Sequence, residues 1–148
     1  MNDSATVQAQ TDLGLAYVDA AARASTPVAV ELGGTTLTPG VYSAGTLSIT
    51  AVDPLILDGQ DDPNAVFIIK ASATLTTTGV GSVSLTRGAS WYNVFWVVGS
   101  SATLEGGNFE GTILAQTSIS LGTGTPVHGR LLARDGAVTL LGNTISRP

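Results

Sequence analysis

The stretch Phe95-Trp96-Val97-Val98-Gly99-Ser100-Ser101-Ala102-Thr103-Leu104 is echoed twice downstream. Eighteen residues on stands Ile113-Leu114-Ala115-Gln116-Thr117-Ser118-Ile119-Ser120-Leu121, and eighteen further on Leu131-Leu132-Ala133-Arg134-Asp135-Gly136-Ala137-Val138-Thr139-Leu140. Each unit opens on a solid apolar run and continues as an alternating strand. Self-similarity at a fixed period of this length marks a solenoid, in which each coil buries its interior against the next. The expected fold is therefore an all-β solenoid, with coils over about residues 28–148 of a single domain spanning 1–148.

Working outward, each coil reads as three sides. The first is apolar on both faces: Ala65–Ile69, Val94–Val98, Thr112–Ala115 and Arg130–Ala133. The second alternates, with Leu47 and Ile49, Ala73 and Leu75, Ala102 and Leu104, Ile119 and Leu121, and Val138 and Leu140 pointing in. Outward stand Thr46, Ser48 and Thr50; Ser72, Thr74 and Thr76; Ser101 and Thr103; Ser118 and Ser120; Ala137 and Thr139. The pattern predicts a lattice of methyls and hydroxyls nearly without charge. The third side is less regular: Ser82-Val83-Ser84, Asn108-Phe109-Glu110, Pro126-Val127-His128 and Asn143-Thr144-Ile145.

Upstream of the coils the texture is helical. Asp3 or Ser4 can cap a helix over about residues 4–24, dense in Ala and closed by Ser25-Thr26-Pro27. A strand buried on both faces needs a cover. This helix is the expected cover for the first side, with Trp96 beneath it. Val28-Ala29-Val30-Glu31-Leu32 then reads as a short strand.

The chain of 148 residues is 43% hydrophobic and only 11% charged, with a net charge of −5. Such a surface is covered by Thr, Ser, Gly and Asn and argues against nucleic acid as a partner. Without cysteine, disulfides and thiolate metal sites are excluded. No apolar run is long enough for a membrane span, and the first residues lack the basic and apolar regions of a signal peptide.

Other reactive residues carry little. His128, the only histidine, has no nucleophile elbow to serve and reads as an exposed strand residue. Asp58, Asp61 and Asp62 do not follow the spacing of a calcium loop and read as turn formers. No side gathers two carboxylates with a base, so no catalytic residue, cofactor or metal is expected. Asp135, near Arg130 and Arg134, suggests an ion pair anchoring the last coil. Trp91 and Tyr92, beside an inserted loop, stay open as sugar-stacking aromatics. A carbohydrate-binding or adhesin-type structural solenoid is the alternative function.

Several stretches, in order, resemble the microbial ice-binding protein family, built on an irregular β-solenoid with a helix along it. They are Leu37-Thr38-Pro39-Gly40-Val41-Tyr42, Leu57-Asp58-Gly59-Gln60-Asp61-Asp62-Pro63-Asn64-Ala65-Val66-Phe67-Ile68, Asn93 to Leu104 and Gly129 to Leu140, together with the Ala-rich stretch Ala9 to Arg23. The resemblance implies a right-handed β-helix of roughly triangular cross-section with one long α-helix packed alongside. It also implies secretion, and an ice crystal surface as the partner of a monomer. Family members carry a further β segment before the helix; its absence would leave coil edges open to self-association.

The outward residues of the second side fit that implication. Ice offers no charge, only a periodic array of oxygens. A rigid surface of Thr and Ser can order its own first water layer, and β-branched side chains lose little entropy on being fixed. The expected centre of the face is Thr74, Thr103, Ser120 and Thr139.

Overall fold

The computed structural model describes Gln8, Leu15 and residues 24–146. In chain order the strands begin with β1 (Thr26–Pro27), β2 (Thr36–Leu37), β3 (Gly40–Ala44), β4 (Leu47–Ile49), β5 (Leu55–Asp58), β6 (Phe67–Ala71), β7 (Leu75–Thr77) and β8 (Val83–Thr86). After a 3-10 turn at Trp91–Asn93 come β9 (Val94–Val98), β10 (Ala102–Leu104), β11 (Phe109–Ala115), β12 (Ile119–Leu121), β13 (Val127–Ala133), β14 (Val138–Thr139) and β15 (Ile145–Ser146). They form three parallel sheets. The first runs β1-β3-β6-β9-β11-β13-β15, the second β4-β7-β10-β12-β14 and the third β2-β5-β8. Each sheet stacks its strands in chain order, as successive coils of a β-solenoid require.

The second sheet follows the period-2 rule. Leu47, Ile49, Leu75, Ala102, Leu104, Ile119 and Leu121 are all buried between strands whose middle residues turn outward. Opposite them, Phe67, Ile69, Val94, Trp96 and Ile113 fill the same interior from the first sheet. Trp96 lies inside the solenoid, not beneath an outer cover as expected. Its ring centroid is 5.1 Å from that of Phe109, and its Nε1–H donates to Glu110 O at 3.0 Å. The buried indole is thereby satisfied.

The repeat is less regular than the sequence suggests. Phe95 pairs with Thr112, seventeen residues on, and Thr112 with Arg130, eighteen on. Thr103 pairs with Ser120 and Ser120 with Thr139, at seventeen and nineteen. Earlier coils are longer: Gly40, Phe67 and Val94 are partners at intervals of twenty-seven. The difference lies on the third side. Early coils leave it through the loops after Asp58 and Thr86. Later ones run straight on, because β11 and β13 continue from the third side into the first. Backbone bonds Val83 N to Asn108 O (2.9 Å), Phe109 N to Pro126 O (3.1 Å) and Val127 N to Thr144 O (3.0 Å) carry the third-side ladder onward. The corner is turned at Gly111 and Gly129, with φ of 118° and 150°. A Cβ on Gly129 would stand 1.9 Å from Gly111 O, so only glycine fits.

Two further expectations are corrected. Thr26 and Pro27 form β1 at the edge of the first sheet, against Tyr42 and Ser43. Proline is tolerated there because an edge strand can leave one side without a donor. The expected strand Val28–Leu32 reduces to a single bridge, Glu31 to Ser48. The first side is apolar outside as well as inside at Ile68, Val97 and Leu114, all buried, with Val41 and Phe95 against them. That pattern stops before β13, where Arg130 and Leu132 are exposed. The helix expected over 4–24 lies outside the described residues, apart from Gln8, Leu15 and Ala24.

Candidate functional site

The outer face of the second sheet carries one column of side chains in register. Strand pairing places Ser48 beside Thr76, Thr76 beside Thr103, Thr103 beside Ser120 and Ser120 beside Thr139. Neighbouring members are about 4.8 Å apart, the spacing of hydrogen-bonded strands. A flanking column stands two residues earlier on each strand: Thr46, Thr74, Ser101, Ser118 and Ala137. Its register follows from the bonds Leu47 N to Thr74 O, Leu75 N to Ser101 O, Ala102 N to Ser118 O and Ile119 N to Ala137 O, at 2.9–3.2 Å.

This placement corrects the expected centre. Thr76, not Thr74, sits beside Thr103, because Leu75 pairs with Ala102 and Thr77 with Leu104. Thr77 occupies an inward, buried slot. Its hydroxyl donates to Glu105 O at 3.2 Å and accepts from Glu105 N at 3.0 Å, so the buried oxygen is satisfied. Ser72 leaves the face altogether. It lies at the corner after β6, lining a cavity of about 300 Å³ with Ser25, Ser43, Lys70, Val97 and Gly99.

The face is also not free of charge. Glu31 takes the position next to Ser48 in the central column. Its Oε1 accepts from Gly33 N (2.7 Å) and Thr50 N (3.0 Å), and its Oε2 from Ser48 Oγ (3.0 Å) and Thr50 Oγ1 (2.8 Å). Partial burial pushes this carboxyl up, but the Thr50 N–H and hydroxyl, the Gly33 N–H and the Ser48 hydroxyl outweigh it. They hold it at about 2. On the other flank Glu105 lies flat over Gly122, where a Cβ would stand 2.7 Å from Glu105 Cγ. In contrast, the hydroxyls of Thr74, Thr76, Ser101, Thr103, Ser118, Ser120 and Thr139 pair with none of the described residues. They are left to water.

The remaining candidates resolve into structure. Arg87 lies between Asp58 (3.2 Å) and Asp61 (2.7 Å) and offsets part of the charge of the acidic loop. The Arg87 guanidinium holds the Asp61 carboxyl below the usual range. Asp58 and Asp62 accept from Gln60 N and Asn64 N at 2.8 Å, as turn formers do. His128 Nδ1 meets Glu110 Oε1 at 2.9 Å on the third side. Asp135 bonds Gln116 Nε2 in place of the expected arginine ion pair, while Arg134 donates to the same glutamine's Oε1 at 3.4 Å. Trp91 is buried and only Tyr92 of that aromatic pair is exposed, so no stacking platform is built there.

Comparison with known proteins gives one answer throughout. An ice-binding protein of Nostoc sp. (strain HG1) is 44% identical over 98% of this chain and 55% of its own length. One from Colwellia sp. is 42% identical over 95% of this chain and 56% of its own. The chain thus spans about half the length of the curated relatives it matches. The crystal structure of an ice binding protein from an Antarctic biological consortium superposes with a TM-score of 0.91 at 42% identity, covering 97% of this chain and 66% of that one. That of Antarctomyces psychrotrophicus gives 0.89 at 38%, covering 97% and 71%. The profile of the Ice-binding-like family matches residues 1–146, and the chain belongs to that family.

Proposed function

We propose that this chain adsorbs to ice crystals through the outer face of the second sheet, inhibiting recrystallisation, shaping crystals and producing thermal hysteresis. The observation that carries the reading is the column Thr76, Thr103, Ser120 and Thr139, four hydroxyls in register on successive strands. A ligand made of frozen water must be recognised over competing liquid water. No single strong contact can do that, but a rigid periodic array of methyls and hydroxyls can template an ice-like water layer. Its ordering cost is met on folding, not on binding. Of the twelve residues expected at the face, Thr74, Thr76, Ser101, Thr103, Ser118, Ser120, Ala137 and Thr139 are the ones we assign to it directly. The molecule is read as a secreted binder, not an enzyme, acting as one domain and a monomer.

Two features of the architecture belong to the same reading. The coils wind right-handed with a triangular section, the sense that parallel crossovers adopt. We assign to the helix expected over 4–24 the part of a cover for the first sheet, a part that burial of the outward Ile68, Val97 and Leu114 calls for. The function is tested by ice recrystallisation in a sucrose solution with micromolar folded protein. Grains should stay small with the parent and coarsen with Thr103→Tyr. Equal coarsening with a well-folded parent refutes the reading.

A further inference from the structure

We infer that Glu31 sets the boundary of the ice-contacting face: by taking the hydroxyl protons of Ser48 and Thr50 it withdraws the first rank, and contact begins at Thr76. The inference rests on the reading of the second sheet as the ice-contacting surface.

A carboxylate offers about four lone-pair directions. In Glu31 all four meet donors of the protein: Gly33 N, Thr50 N, Ser48 Oγ and Thr50 Oγ1. Bonds to an ionised acceptor are roughly twice as strong as neutral ones, so water does not displace these hydroxyls. A serine or threonine hydroxyl has one proton. That of Thr50 goes to Glu31 at 2.8 Å, and that of Ser48 goes to Glu31 at 3.0 Å with the more distant Val30 O at 3.4 Å as its only other acceptor among the described residues, so both are committed within the protein. Within ice every oxygen both donates and accepts, and a hydroxyl whose proton is already committed can only accept. Water at this rank also meets a fixed negative charge, which orients its hydrogens toward one point and not into a lattice. Both effects act on the same rank and leave the next ranks untouched.

Beyond that rank the pattern changes. The hydroxyls of Thr76, Thr103 and Ser120, and of Thr74, Ser101 and Ser118 beside them, pair with none of the described residues. The third column, which starts at Thr50 and passes through Thr78, is closed further on by the Glu105 side chain lying over Gly122. The working face is thus two columns wide and opens at β7. Glu31 is a positioning residue here, acting through Ser48 and Thr50 without touching ice itself.

The test is thermal hysteresis of the whole chain at one molar concentration, with a circular-dichroism melt on every variant to establish folding. Ser48→Ala and Thr50→Val should keep more than four-fifths of the parent's hysteresis while melting lower. Thr76→Ala and Thr103→Ala should each fall to half or less with a near-parent melt. Should Ser48→Ala or Thr50→Val fail to fold, Thr50→Ser keeps the bond to Glu31 and removes only the methyl; it too should keep full activity. A twofold or greater loss in any folded Ser48 or Thr50 variant overturns the boundary. If the parent is active and Thr76→Ala and Thr103→Ala are also silent, the choice of face fails and the boundary with it. An inactive, folded parent overturns both the boundary and the proposed function.

Discussion

Glu31 ties residues seventeen and nineteen positions away into the first coil, and that tie is open to titration. Its carboxyl drops from 4.5 to about 2 on folding. At about 1.4 kcal/mol per pH unit this sets a ceiling of about 3.5 kcal/mol. The site faces solvent, so screening reduces the contribution to about 1–2 kcal/mol. Because the folded value lies below the unfolded one, this stability is fully present above about pH 5 and is lost as pH falls from 4.5 toward 2. Glu31→Gln removes the charge and leaves one oxygen for the N–H groups of Gly33 and Thr50. At pH 7 its melting temperature should lie about 2–8 °C below the parent's, at roughly 2–4 °C per kcal/mol for a chain of this size. At pH 2 the two melts should converge. Asp61, held low by Arg87, also loses stabilisation in acid, but it does so equally in both proteins and cancels in the difference. Calorimetric melts of both proteins at half-unit steps from pH 7 to pH 2 make the comparison. A gap that stays constant across that range would refute the assignment of the low-pH loss to Glu31.

Other perturbations separate the face from the scaffold. Ser84→Tyr, on the third side, should leave recrystallisation inhibition intact in the assay where Thr103→Tyr abolishes it; equal loss in both would point to general disruption. Leu104→Ala deletes a fully buried side chain and should cost about 2–5 kcal/mol, read as a melting temperature lower by about 5–20 °C. Gly129→Ala and Gly124→Ala both place a side chain at positive φ, but only the first drives a Cβ to 1.9 Å from a backbone oxygen, while nothing lies within 4 Å of the second. Gly124→Ala should therefore fold with a modest loss of about 1–2 kcal/mol, and Gly129→Ala should lose most of its soluble, folded yield.

The interior was legible where alternation was unambiguous. Slipping a strand by one residue exchanges its faces, so Leu47 with Ile49, Ala102 with Leu104, and Ile119 with Leu121 could point only inward. Alternation does not fix which rung meets which, and the run Ser72-Ala73-Thr74-Leu75-Thr76-Thr77-Thr78 shows why. Threonines on both parities let β7 slide by two, and what decides its register is the backbone of Glu105 satisfying an inward Thr77 hydroxyl. Glu31 carried no local sign of its role, because its partners Ser48 and Thr50 are brought to it only by the winding of the coil. The same holds for Arg87, which meets Asp58 across twenty-nine residues of chain. The long apolar stretch around Trp96 looked equally greasy on both faces, and only pairing with Ile69 and Ile113 tells which side is inside.

The short interval between paired strands bears on how the chain finds its shape. The registers quoted above join segments between sixteen and twenty-eight residues apart. Closing a loop costs free energy that rises only with the logarithm of its length, so the successive closures are nearly equal in entropy. Within the ladder of described strands, no late step has to bring distant segments together. Folding can then advance as a zipper from whichever rung forms first, each new turn using the last as its template. Substitutions near the middle rungs should slow both directions of travel, whereas those at either terminus should mainly hasten unravelling.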